Sequence, residues 1–221
     1  MNNSIHVLSF DVGIKNLAYC YLTYSSSVED PLSFTIQEWN VINIGTDATH
    51  NKIKYQSDIL FQKLRELFYS KAIDYVVIEN QPVLKNPTMK SIQMMIYSFF
   101  KIMMLSQDKC VKDVVLVNAC NKLKFATVIL PRLLPDLQPM ASDSNITCKY
   151  KKSKYTAIQY TKELLRCKCM HTELTFFNEF KKKDDLADTL LQGLYFAHNN
   201  KQHQDALSSP SATETTVSSF G

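Results

Sequence analysis

Four carboxylates in this 221-residue chain are spaced as a metal-dependent phosphodiesterase would need them. Asp11 closes the apolar run IHVLSFD, Glu79 closes DYVVIE, and Asp185 and Asp188 stand three residues apart in KKKDDLADTLLQGLYF. The first two read as the ends of buried strands. The other two share one face of a predicted helix. A carboxylate at the end of a buried strand needs a partner, because a dehydrated charge left alone is costly. One divalent cation site would satisfy all four. Each acid also has a plainer reading. Asp11 could open a turn before Gly13, Glu79 could pair with a lysine, and Asp184 and Asp185 could be acids favoured at a helix N-terminus by its dipole. The placement of all four at element ends favours the shared site.

The chemistry that such a site supports is hydrolysis of a phosphodiester. Two divalent ions about 4 Å apart activate water at one end and stabilise the leaving oxygen at the other. Mg²⁺ takes hard oxygen ligands and keeps several waters, so a few carboxylates suffice. Asp11, on a central strand, is the expected bridging ligand. Gly13 is expected to let a phosphate backbone approach, since it carries no side chain.

The elements that must position these acids follow from periodicity. Ile5–Asp11, Leu17–Tyr24 and Phe34–Ile44 read as three consecutive strands of an antiparallel meander, with Trp39 in the third. Residues 51–69 show helical spacing, with Ile53, Ile59, Leu60, Leu64, Leu67 and Phe68 inward. Asp74–Glu79 is a short apolar strand of the kind covered on both faces. Residues 86–106 form a second helix rich in methionine, read as core packing or as a dimer surface. Val114–Asn118 is a fifth strand. Pro131, Pro135 and Pro139 mark a connector with at most one helical turn. Ser153–Cys167 is helical, with Ala157, Ile158, Thr161, Leu164 and Leu165 inward, and Asp184–His198 is the last helix. This order predicts an α/β domain over residues 1–200, with a mixed sheet flanked by helices. Residues 201–221 are expected to be a disordered Ser/Thr-rich tail, too poor in apolar side chains to offset ordering entropy.

The bulk composition narrows the partners. Apolar residues make up 45% of the chain, including 12 Phe and 11 Tyr, enough for a sizeable core. Net charge is +4, but residues 149–168 hold seven Lys or Arg and one Glu, a local +6. That block suits a polyanion or is a solvated helix face. Neither a signal peptide nor an apolar run of membrane-spanning length is read, so an intracellular protein with reduced cysteines is expected. Cys167, Cys169 and His171 lack a second ligand pair at zinc spacing and read as two unpaired thiols at a helix end and a nearby imidazole.

Four segments, FDVGIKNLAY, VVIENQPVLKNPTMKSIQ, YKKSKYTAI and KKDDLADTLLQ, resemble the Holliday junction resolvases of the RuvC group in the same order. The likeness is to the branch of poxviruses and other large DNA viruses and of fungal mitochondria. The resemblance implies a ribonuclease H-like fold, Mg²⁺ or Mn²⁺ dependence with two ions per site, and a homodimer acting on four-way DNA junctions. It further implies paired symmetric nicks, in recombination or in processing replicated viral or organellar genomes. If viral, the chain would act in an infected host cell. The family's catalytic, metal-holding acids fall on Asp11, Glu79, Asp185 and Asp188, with Asp184 secondary. Its DNA-contacting basic segment falls on Lys149, Lys151, Lys152 and Lys154. Two other readings share parts of this pattern: a ribonuclease H acting on RNA–DNA hybrids, and a non-catalytic architectural protein of the same fold. A transposase-like nuclease would need end-recognition modules for which the chain has little room.

Overall fold

The computed structural model describes residues 4–25, 27, 30–45, 52–84, 86–106, 111–137 and 148–208. Three strands, β1 (Ile5–Asp11), β2 (Leu17–Ser25) and β3 (Ser33–Ile42), form the expected antiparallel meander. After helix α1 (Lys52–Phe68), β4 (Tyr75–Glu79) returns to lie parallel to β1. Helix α2 (Pro87–Leu105) then leads to β5 (Asp113–Val117), parallel to β4. The sheet order is β3-β2-β1-β4-β5. This is the mixed, helix-flanked sheet that the sequence predicts.

Strand parity divides the core in two. Ile5 and Val7 of β1, with Tyr75 and Val77 of β4, face one apolar layer. Leu8 and Phe10, with Val76 and Ile78, face the other. Covering on both sides explains why β4 reads as a continuous apolar run. Helices α1 and α2 cover the second layer through Leu60, Leu64 and Phe68, and through Ile92, Ile96 and Phe100. Ile53, expected inward, is 41% exposed because the buried i, i+4 stripe of α1 starts only at Gln56. Of the methionines on α2, Met103 is core and Met94 is 40% exposed.

The first layer is closed by α5 (Lys149–Cys167), α6 (His171–Glu179) and α7 (Lys183–Ser208). Three departures from the sequence expectation lie here. The segment read as a connector is helical from Cys120 to Leu133: α3 (Cys120–Lys124), a π-helical turn (Phe125–Ile129) and α4 (Leu130–Leu133). Pro131 would clash with the carbonyl four residues back in a regular helix. The wide turn just before it, where the Leu130 N–H reaches Phe125 O, accommodates that ring without ending the helix. Second, α5 starts at Lys149 rather than Ser153, so the basic segment is its first turn. Third, α7 runs to Ser208, well into the segment assigned to the tail. His198 holds it there, buried beside the Tyr24 hydroxyl at 3.2 Å and bonded to Gln202 one turn on at 3.0 Å. Residues 138–147, including Pro139, and the Ser/Thr-rich 209–221 lie outside the described residues.

Helix α7 is docked by polar contacts as well as apolar ones. The Trp39 indole on β3 donates to Leu186 O at 3.0 Å and to Thr189 Oγ1 at 3.2 Å. Its ring stacks on Phe177 of α6 with centroids 5.2 Å apart. Gln192 donates to Ser9 Oγ at 3.0 Å and to Phe10 O at 3.1 Å, both on β1. Gly193 lets the helix sit close, since a Cβ there would lie 3.1 Å from Leu22 Cδ2 and 3.2 Å from Ser9 Cβ.

Replacing Trp39 by Phe removes both indole hydrogen bonds and leaves a partial cavity. Urea unfolding of Trp39→Phe should show a stability loss of about 1–3 kcal/mol. An unchanged midpoint would mean that the indole does not hold α7.

Candidate active site

Asp11 and Glu79 are the last residues of neighbouring parallel strands, one step beyond the paired Phe10 and Ile78. Alternation puts both on the α7 face, as Ser9, two residues before Asp11, shows by its bond to Gln192. Asp188 precedes Gln192 by one helical turn, so the contact of Gln192 with β1 carries Asp188 to the end of that strand. Carboxylate oxygens of Asp11, Glu79 and Asp188 lie within 4.8 Å of one another. Opposed ligands of an octahedral Mg²⁺ stand about 4 Å apart, twice its usual bond length, so this oxygen set fits a hard divalent cation. Asp185 lines the same cavity, of about 530 Å³, one turn earlier on α7, outside that group of three.

The loop after Glu79 is pinned in turn. Asn80 N–H donates to Val117 O at 2.8 Å, and Gln81 N–H to Oε1 of the buried Gln93 at 2.7 Å. Lys90 donates to Asn80 Oδ1 at 2.9 Å and to the same Gln93 oxygen at 3.2 Å. Asn86 caps α2 by accepting from Met89 N–H at 3.1 Å, with Pro87 in the first turn. The polar residues of the ENQP–KNPTMKSIQ segment therefore bond one another to hold Glu79 in place. Gly13 lines the cavity and is also required by its own turn. A Cβ there would fall 2.4 Å from Asn16 O, so the β1–β2 turn itself requires glycine.

A cation already sits in the cluster. Lys122 of α3 donates to Glu79 Oε2 at 2.8 Å and is also bonded to Asp188 Oδ2. Its side chain is only 13% exposed. Burial alone would depress its ammonium, but Asp188, Asp11 and Glu79 outweigh that and raise it above the usual lysine range. Dehydration, then repulsion from Glu79, pushes the Asp11 carboxyl well above its ordinary value, against the pull of Lys122. Dehydration also raises Asp188 to about 6 despite Lys122. One ammonium leaves negative charge uncompensated, and a divalent ion would compensate it better.

Asp184 and Asp185 are adjacent but differ in surroundings. Asp184 is bonded to Lys154 of α5, which holds it below the usual range although burial opposes this. Burial and then Asp184 raise Asp185. Of the basic residues singled out from the sequence, Lys151 and Lys152 are exposed on the first turn of α5, and Lys149 begins that turn. Lys154 faces the cavity instead, its ammonium 4.9 Å from the Tyr150 ring centroid. Sequence reasoning missed Lys122, Lys15 and Lys182, which also line the cavity. Lys122 lies in the stretch just before Pro131, and no spacing rule links it to the acids. Lys182 was legible in the run preceding Asp184.

Comparison with known proteins accords with this geometry. Residues 7–92 match the family described as mitochondrial resolvase Ydc2 / RNA splicing MRS1. An uncharacterized protein of Acanthamoeba polyphaga mimivirus is 35% identical over 148 residues, 66% of this chain. The chain spans about a third, 34%, of that relative's length. The crystal structure of the yeast mitochondrial Holliday junction resolvase Ydc2 superposes with a TM-score of 0.62 at 20% identity, covering 91% of this chain and 82% of that one. The Thermus thermophilus RuvC structure gives 0.52 at 12% identity, covering 90% and 97%. The chain is thus similar to the RuvC-group resolvases, and its fold is the ribonuclease H-like fold of these neighbours.

The raised carboxyls have a consequence for stability. A carboxyl whose folded value lies above its unfolded value costs nothing below the unfolded value. Its penalty grows as pH rises through the folded value. Without metal, Asp11→Asn should therefore melt higher than the parent at pH 7.5, with the gain shrinking as pH falls through the Asp11 titration. Added Mg²⁺ should raise the melting temperature of the parent and not of the variant, and the rise should diminish below about pH 6 as Asp188 protonates. Equal metal-induced shifts in the two proteins would contradict the site.

Proposed function

We propose that residues 1–200 form a structure-selective, metal-dependent endodeoxyribonuclease that resolves four-way DNA junctions. The observation that carries this reading is the convergence of Asp11, Glu79 and Asp188, with Asp185 beside them, at the end of two parallel strands. Asp11, Glu79, Asp185 and Asp188 would hold Mg²⁺, with Mn²⁺ able to replace it, in a two-ion arrangement. The bound ions supply the charge that activates water and stabilises the leaving alkoxide. The protein supplies positioning. Two strand ends and one docked helix fix the carboxylates with little freedom to rearrange, so the geometry exists before substrate arrives. Lys122 keeps the cluster partly neutral through its bonds to Glu79 and Asp188, the positions that bound ions would need. Lys151 and Lys152 hold phosphates flanking the site, and Lys149 is assigned the same role by its place in the sequence.

The family matched over residues 7–92 joins a resolvase and an RNA-splicing protein by name, so the match alone does not single out cleavage. The acids favour it. A protein that only binds polyanions gains nothing from carboxylates beside the phosphate path, since they repel it. Two nicks at symmetric positions need two sites, which an isologous homodimer provides. The exposed Met94, Ile102 and Leu105 of α2 give that helix an apolar outer face suited to such a contact.

Substitution of Asp11, Glu79 or Asp188 by its amide should lower cleavage of a synthetic four-way junction by about 10²-fold or more. Asp185→Asn should act in the same direction, and Asp184→Asn much less. Junction affinity by gel shift should stay near that of the parent. Excess EDTA should stop the reaction. Undiminished cleavage by Asp11→Asn, or in EDTA, would sink the assignment.

Affinity should come from phosphate contacts and shape, and should fall with salt. Replacing Lys151 and Lys152 together by Gln should flatten log K against log salt by about 1.8, or about 0.9 per lost contact on B-form DNA. A salt titration of the double variant decides the point, and an unchanged slope would place the DNA surface elsewhere.

A further inference from the structure

Tyr150 is out of place for a side chain with no partner to meet. It sits in the first turn of α5 with 67% of its surface exposed, between the charged Lys149 and Lys151. It lines the same cavity as Asp11, Glu79 and Asp188. One ring face is engaged by the Lys154 ammonium at 4.9 Å, and Lys154 is itself anchored by Asp184 at the start of α7. The ring is therefore oriented from below by a fixed charge while much of it stays open to solvent.

We propose that Tyr150 is a stacking platform for a nucleobase next to the scissile phosphate, and that it makes cleavage depend on an unstacked nucleotide. The inference rests on the nuclease reading of the cavity. The acids are largely buried, Glu79 and Asp188 each having 14% side-chain exposure, so a phosphate must enter the cavity to reach them. A continuous duplex keeps its bases stacked on their neighbours and has none to offer to the ring. At a branch point the stack is interrupted, and a freed base finds an aromatic face whose other side is already polarised by a cation. Stacking of a base on an aromatic side chain is indifferent to base identity, because every base has a π-face. Tyr150 would thus read helix discontinuity rather than sequence.

The test places 2-aminopurine, a fluorescent adenine analogue, as a single unpaired nucleotide at the branch of a junction. Fluorescence is read on titration with the full chain and its Tyr150→Phe and Tyr150→Leu variants. The parent and Tyr150→Phe should quench the probe, since both carry a ring over Lys154. Tyr150→Leu keeps apolar bulk and should not quench. It should also cut kcat/KM on the junction by about tenfold, the rate equivalent of one stacked base. Quenching by Tyr150→Leu equal to that of the parent overturns the proposal. So does a Tyr150→Phe defect as large as that of Tyr150→Leu, or no quenching by the parent. Quenching without cleavage of any substrate would refute the nuclease reading and leave the platform standing.

Discussion

Carboxylates held within 4.8 Å of one another and largely out of water cannot all be ionised unless a cation lies among them. That constraint organises the molecule. Lys122 meets it in part, and the raised carboxyls of Asp11 and Asp188 show what one ammonium leaves unmet. A cluster that costs stability in the resting protein and that a divalent ion would relieve is an arrangement expected of a functional site rather than of a scaffold.

The fold supplies the force that holds the cluster together. Parallel pairing puts the ends of β1 and β4 side by side, and strand parity turns Asp11 and Glu79 to one face. The remaining freedom is the rotation and height of α7. Trp39 sets the first two turns of that helix through Leu186 and Thr189, and Gln192 with Gly193 sets its approach to β1. The loop carrying Asn80 and Gln81 is fixed by Lys90 and Gln93 of α2. Each device lies on a different element, so the site is assembled only in the complete domain.

Much of this was legible in the chain. Short, nearly continuous apolar runs ending in an acid identify β1 and β4, and the fixed alternation of a strand then turns their last side chains to a shared face. The helix phase of Asp185 and Asp188 was legible for the same reason. What was not legible depends on tertiary contacts. Asp184 and Asp185 are neighbours of identical type, and only the docking of α7 against α5 gives Asp184 to Lys154. Pro131 signalled a break that the π-helical turn avoids, which concealed the element that bears Lys122. Tyr150 was hidden in a basic run marked only by its charge, and the tight fit of Gly13 against Asn16 shows only once the β1–β2 turn is formed.

In the proposed nuclease a divalent cation would take the place of the Lys122 ammonium between Asp11, Glu79 and Asp188. Crystals soaked in Mn²⁺ and measured for anomalous scattering test it directly, since Mn²⁺ shares the oxygen preference of Mg²⁺. An anomalous peak is expected among those three carboxylates, with Lys122 moved off Glu79 and Asp188. An undisturbed Lys122 ion pair, with the manganese bound elsewhere or not at all, would refute it.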